Sequence, residues 1–362
     1  MSSFGHGCQG HGNTGHQTRL QFAASLLIIN YTRSITMLIA RTFLELFDQA
    51  NNFPFPDQHL TADDFRDPET YCTVPFKLGD QLLGVLLPST VAKLKEYNAR
   101  QQLNPFLIGE DVIRFDERHV KGVEERTAVV RRLLEVWREE RAFKCLAGWR
   151  DELYPVYGDP NNQPSTVAFV LERAAAPLFG VVQFGSQLNG YVRDPVTGEI
   201  KMWIGRRAMT KHVFPGRLDT LVGGGIPYGQ TPYETMVREC AEEANIPESL
   251  AKHAKAVGVI TFVYHTDMLG IFPETLYIYD LELSANVIPV PVDGEVECFY
   301  CWGMDEVKKH ILAGEFYPGI TLVIIDFLIR HGLLTAENEP DYVALCSRLR
   351  RKLDYAPPRY VI

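Results

Sequence analysis

Glu239, Glu242 and Glu243, with Arg238 beside them, are the residues of this 362-residue chain whose types and spacing best suit chemistry. On a helix, positions three and four apart share a face, so the three carboxylates gather on one side and Arg238 stands next to Glu242. A solvated acidic face with one intrahelical ion pair is the ordinary account of such a run. Two features favour a different one. Three carboxylates on one short face repel each other, and a hard divalent cation with oxygen ligands would relieve that repulsion. The stretch just upstream is glycine-rich, Gly223, Gly224 and Gly225 followed by Gly229. Such backbone can approach a ligand closely, and it brings its carbonyls near the carboxylates.

The element that must position these groups is a helix with both signals of its start. Thr231 can serve as N-cap, Pro232 takes the first helical position, and Glu234 completes a capping box. Asn245 and then Pro247 mark the stop. Val237, Cys240, Ala241 and Ala244 are predicted to share the face that packs on a core.

Spacing then identifies a family. Gly224, five residues, Gln230, seven residues, and Arg238-Glu239-Cys240-Ala241-Glu242-Glu243-Ala244-Asn245-Ile246 resemble the Nudix box. Two positions depart from it: Gln230 replaces the first glutamate of the box, and Asn245 its last glycine. Asn245 is benign, because asparagine also ends helices in the left-handed region. Gln230 loses a charge and keeps an acceptor oxygen.

Composition sets the outer bounds. A hydrophobic content of 46% and a charged content of 22% are those of a globular protein with well-buried cores. The net charge of −9 argues against a nucleic-acid partner, which would need a basic surface. The seven cysteines are an odd, scattered set that points to a reducing compartment. Cys298 and Cys301 form a lone CxxC in a strand-like stretch, so ordinary strand residues are expected there rather than zinc. His6, Cys8, His11 and His16 are expected to belong to a disordered leader.

The expected fold class is α/β: a Nudix α/β/α sandwich with a mixed sheet, preceded by a smaller mixed α/β domain. Residues 1–40 read as a leader, disordered or targeting; they lack acidic residues, and Met37 offers a second start. The apolar run at 23–32 is broken by Arg33 well short of a membrane span, so no membrane partner is expected. An N-terminal domain is expected over 41–158, with a hairpin about Gly79-Asp80 and an amphipathic helix over 126–138. Turn formers at 159–165 read as a linker. The Nudix domain is expected over 166–335, and a helical tail over 336–362 whose basic run (Arg348, Arg350, Arg351, Lys352) reads as a solvated face.

The resemblance narrows further. The sequence from roughly 60 to 345, with GWRDELYPVY at 148–157 and LVGGGIPYG at the box, resembles the thiamine pyrophosphokinase-related Nudix hydrolases of fungi and plants. Gln187 stands where a histidine is expected in that subfamily. The resemblance implies cleavage of a small-molecule diphosphate, thiamine diphosphate or its oxidised or damaged analogues, to the monophosphate. It implies Mg2+ or Mn2+ held by Glu239, Glu243, Glu242 and the Gly224 carbonyl, with Glu239, Glu242 and Arg238 in the catalytic set. Glu295 and Glu297 are candidates for a further carboxylate, and Arg206, Arg207 and Lys211 for phosphate contacts. Trp203, Phe214, Tyr264 and Tyr277 could face a cationic ring. Another nucleoside-diphosphate hydrolase on the same fold, or a catalytically silent Nudix binding module, are the alternatives. Location is expected to be cytoplasmic, or mitochondrial if the leader is a transit peptide.

Overall fold

The computed structural model describes residues 42–54, 73–358 and 360. The leader, its histidine cluster and Met37 lie outside them. Phe43–Ala50 (α1) opens on a Thr42/Glu45 capping box and buries Phe43, Leu46 and Phe47. Val74–Leu78 (β1) and Gln81–Leu86 (β2) form the expected hairpin. Pro88–Asn98 (α2) follows, then Phe106–Ile108 (β3) and Ile113–Phe115 (β4), giving a four-stranded sheet in the order β2-β1-β4-β3. Gly122–Glu139 (α3) covers it with Val129, Val130, Leu133, Leu134 and Trp137, the periodic stripe predicted from sequence.

Leu153–Tyr157 (β5) and Val167–Glu172 (β6) pair antiparallel, so 159–165, expected as a linker, is the turn of this hairpin. That turn is pinned: the buried Asp159 carboxylate accepts from the Arg126 guanidinium of α3, whose Nε donates to the Ala168 carbonyl at 2.7 Å. Phe169 and Phe179 pack on Phe76 at 6.0 and 6.1 Å between ring centres, closing one core across both sides of the turn.

After Ala176–Phe179 (α4) comes the second sheet. Gln183–Arg193 (β7) and Ile200–Arg207 (β8) lie at its centre, in the order β11-β12-β7-β8-β13. Leu218–Asp219 (β9) pairs with β8, and Val222–Gly225 (β10) with β7. Pro232–Ala244 (α5), Glu248–Ala251 (α6), Lys255–Thr266 (β11), Gly270–Glu282 (β12) and Val296–Gly303 (β13) follow. The β12–β7 pair is parallel and the rest antiparallel, the mixed sheet expected. One face meets α5 through Leu188, Val222, Met236, Cys240 and Tyr279. The other meets Pro318–Arg330 (α8), where Tyr191 packs on Phe327; Met304–Leu312 (α7) flanks it. A sheet between helical layers results.

The last helix, Tyr342–Arg348 (α9), is short, and the basic run expected as a solvated face is exposed at Arg350 and Lys352 but buried at Arg351. Arg350 bonds Asp326, and the buried Arg351 donates to Asn51 and the Phe53 carbonyl, so these cations tie the tail to α8 and α1. Among the described residues no helix is long and apolar enough to cross a membrane.

Candidate active site

The glycine strand β10 hydrogen-bonds β7 on one side and turns its backbone toward α5 on the other. Thr231 caps α5 with the predicted capping box, and Asn245 ends it at φ 54°, the left-handed stop read from sequence. Val237, Cys240 and Ala244 pack on the core as expected, and two positions depart. Ala241 is exposed, while Glu243 is buried at 5% exposure beside Met236, Cys240 and Ala244. The reason is the missing side chains of β10: the Gly223 N–H reaches the Glu243 Oε2 at 3.0 Å. A Cβ on Gly224 would collide with the Glu239 carboxylate, so glycine is required for the helix to lie this close.

Arg238 organises the remaining acids. Its guanidinium bonds Glu239 at 2.8 Å and Glu242 one turn on, while its Nε donates to the Gln230 Oε1 at 3.3 Å. Burial raises the Glu239 carboxyl to about 7 although Arg238 pulls it down. Burial, then the Glu239 charge, pushes Glu243 well above the usual carboxylate range, against the Gly223 hydrogen bond. A buried and a half-buried acid one turn apart, both with raised pKa, are chemically suited to a hard cation. Among the described residues no three His, Cys, Asp or Glu groups already converge as a metal site, because Arg238 and Gly223 engage the acids.

This floor opens into a cleft of about 1100 Å³. Arg238, Glu239, Glu242, Gly224, Arg207, Lys211 and Glu295 line it, as expected of them; Glu243 lies under the floor against Gly223. Arg206 and Glu297 do not line it. Arg206 instead bonds the Tyr300 hydroxyl and the Gly216 carbonyl, and Glu297 is exposed on β13, because the strand alternates faces. Of the aromatic candidates, Phe214 and Tyr264 reach the cleft. Trp203 and Tyr277 are packed against the α5 core instead. Gln187 also lines the cleft, accepting from Thr220 Oγ1 at 2.9 Å and packing on Gly223.

Comparisons with known proteins identify the family. The NUDIX domain family matches residues 191–318, and a domain of unknown function (DUF4743) matches 58–183. Nudix hydrolase 24, chloroplastic, of Arabidopsis thaliana is 36% identical over 287 residues, covering 76% of this chain and 72% of its own. The chain belongs to the Nudix hydrolases. An uncharacterized protein of Saccharomyces cerevisiae is 38% identical over 227 residues, which is 60% of this chain and 65% of that protein. A solved Deinococcus radiodurans protein superposes with a TM-score of 0.33 at 19% identity, over 55% of this chain and 100% of that one.

The Nudix cleft also holds groups that sequence reasoning did not single out: Arg150, Glu152, Tyr154, Arg173, Asp219 and Glu274. Burial raises the Glu274 carboxyl to about 7, against the pull of Arg173. Asp219 holds Arg207 at 2.7 Å. Only the 148–157 stretch carried a signal, as a mark of the N-terminal region without a role. Glu274 and Asp219 sit in strands as ordinary alternating polar positions, so nothing local distinguishes them.

Proposed function

We propose that this Nudix chain is a metal-dependent pyrophosphohydrolase that cleaves the diphosphate of a small cofactor-like molecule to the monophosphate. The observation that carries the reading is the placing of Glu239 against Gly224 and Glu243 on the Gly223 N–H, with Glu242 one turn along, where α5 floors a large cleft. A magnesium or manganese ion, when bound, would be held by these three carboxylates with the Gly224 carbonyl, and would neutralise phosphate charge and make a bound water more acidic. Arg238 fixes the orientation of Glu239 and Glu242. Lys211 is bridged to Glu295 at the rim, a charge pair that a phosphate can enter.

Thiamine diphosphate and its oxidised analogues are the substrates we put first. Their flat cationic ring suits the aromatic wall, where Phe214 stacks on Tyr317 with ring centres 5.2 Å apart and Tyr264 lies 6.2 Å from Phe214. The test is a diphosphate panel with the full chain and magnesium, following the monophosphate products by chromatography. Faster cleavage of thiamine diphosphates than of nucleoside-diphosphate sugars supports the reading; the reverse order moves the substrate to that class, and no cleavage leaves a binding module. We place the protein in the cytoplasm, with a mitochondrial address as the alternative; imaging the tagged full chain separates them.

A further inference from the structure

One wall of the cleft comes from the N-terminal region, and the reaction proposed above gives it no task. It is rigidly built. The Trp149 indole N–H donates to Asp151 Oδ1 at 2.8 Å, and Asp151 sits in the left-handed region at φ 58°. The buried Glu172 carboxylate accepts from the backbone N–H of Arg150 at 3.0 Å and of Ala174 at 3.2 Å. Arg173 grips Glu152 at 2.9 Å and lies 5.1 Å over the Tyr154 ring. The Tyr154 hydroxyl abuts Gly225, where any Cβ would collide with it. The wall is therefore bolted to the glycine strand that holds Glu239 and Glu243.

One side chain on this wall has no such engagement. The backbone of Arg150 is fixed by Glu172, yet among the described residues its guanidinium has no hydrogen-bond or ion-pair partner. Its side chain is exposed at the cleft surface; partial desolvation there, and then the neighbouring Arg173 charge, lower its pKa. Glu152 and Glu295 are near enough to act on it, but the first is engaged by Arg173 and the second by Lys211. An exposed guanidinium at the cleft surface, anchored at its backbone, beside a like charge and without a protein acceptor, is matched by a tetrahedral oxyanion.

We propose that Arg150 is an anion-binding residue of the Nudix cleft, supplied by the N-terminal region, and that it takes a phosphate group of an organic diphosphate. The inference deepens the hydrolase reading and rests on it for the identity of the molecule that carries the anion. It gives the 148–154 stretch a function: that segment sets a cation in the cleft.

The test uses the full chain, its Arg150→Met and Arg150→Lys variants, and methylenediphosphonate as a non-hydrolysable probe with magnesium chloride. Titration calorimetry should show binding weakened roughly 10- to 100-fold in Arg150→Met, the range of a lost charge-assisted contact, and partly restored in Arg150→Lys. The ligand-free melting temperature should hold or rise, since Arg150 gives up no partner and its repulsion with Arg173 disappears. In hydrolysis KM should rise more than kcat falls. Equal binding by wild type and Arg150→Met, absence of probe binding by wild type, or a lower ligand-free melting temperature in both variants overturns the proposal. Wild-type probe binding that depends on Arg150, with no cleavage of any diphosphate, would instead sink the hydrolase reading and leave the anion site standing.

Discussion

The two walls of the cleft are built on different principles. Glu239, Glu242 and Glu243 lie within one turn of α5, so covalent geometry alone sets their mutual placement. Arg150, Arg173, Arg207 and Lys211 come from the approach to β5, the turn after β6, the end of β8 and the loop beyond it. Their placement depends on packing: Glu172 fixes the backbone of Arg150, Glu152 holds Arg173, and Asp219 holds Arg207. The acidic wall should therefore lose chemistry without losing its fold when a charge is removed. The basic wall should lose structure wherever one of its bolts is drawn.

The largest effect is expected on the acidic side. Glu243→Gln and Glu239→Gln keep shape and helix propensity while removing charge, and magnesium-dependent cleavage should fall about 10²-fold or more, near 2.7 kcal/mol of transition-state stabilisation. Folding should respond in the opposite sense. Both carboxyls titrate above their ordinary values, Glu239 at about 7, so their ionised forms are disfavoured in the fold. Metal-free wild type must then lose stability as pH rises from the ordinary carboxylate range toward those raised values. Each glutamine variant removes its share of that loss. Melting curves in chelator at pH 5 and 7.5 measure it; a steeper loss in the variants than in wild type would refute the assignment.

The basic side should break differently. In Gly225→Ala the new methyl meets the Tyr154 hydroxyl, and Tyr154 is only 3% exposed, so little space exists to absorb it. Overpacking of this kind costs about 1–3 kcal/mol. Adding Tyr154→Phe removes the colliding oxygen and should recover part of the loss, seen as a coupling between the two changes in urea midpoints. Independent, additive effects would show that the wall and the glycine strand are not joined there.

The same contrast explains what could be read in advance. The capping box and the left-handed Asn245 are local patterns, and each stands in the structure as a local pattern predicts. The sequence misleads where a neighbouring strand decides. Glu243 counts as polar on a helical wheel, yet it is buried because Gly223 supplies backbone and no side chain at that point. Ala241 counts as apolar and faces solvent. The turn formers at 159–165 carry no sign that β5 and β6 pair across them, nor that Arg126 reaches Asp159. Glu274 and Arg173 face each other from elements distant in sequence, and no spacing rule connects them.

The smallest effect is expected at the joint between the acidic wall and its glycine loop. Gln230 stands where the Nudix box has a glutamate, and its Oε1 accepts from Thr235 Oγ1 at 3.1 Å and from Arg238 Nε at 3.3 Å. Arg238 uses different nitrogens for Glu239 and Glu242, so a carboxylate at 230 would add a partner without displacing either acid. Position 230 also lies just ahead of the α5 N-terminus, where a negative charge is favourable by about 0.3–1 kcal/mol. Gln230→Glu should thus raise the melting temperature slightly and change the cleavage rate by less than ~10-fold, because Glu239, Glu242 and Glu243 keep their places. The comparison to make is wild type against the variant on the same diphosphate, at saturating magnesium. A rate gain of several orders of magnitude would mean that the native glutamine disables the site, and the chain would then be a Nudix binding module rather than an enzyme.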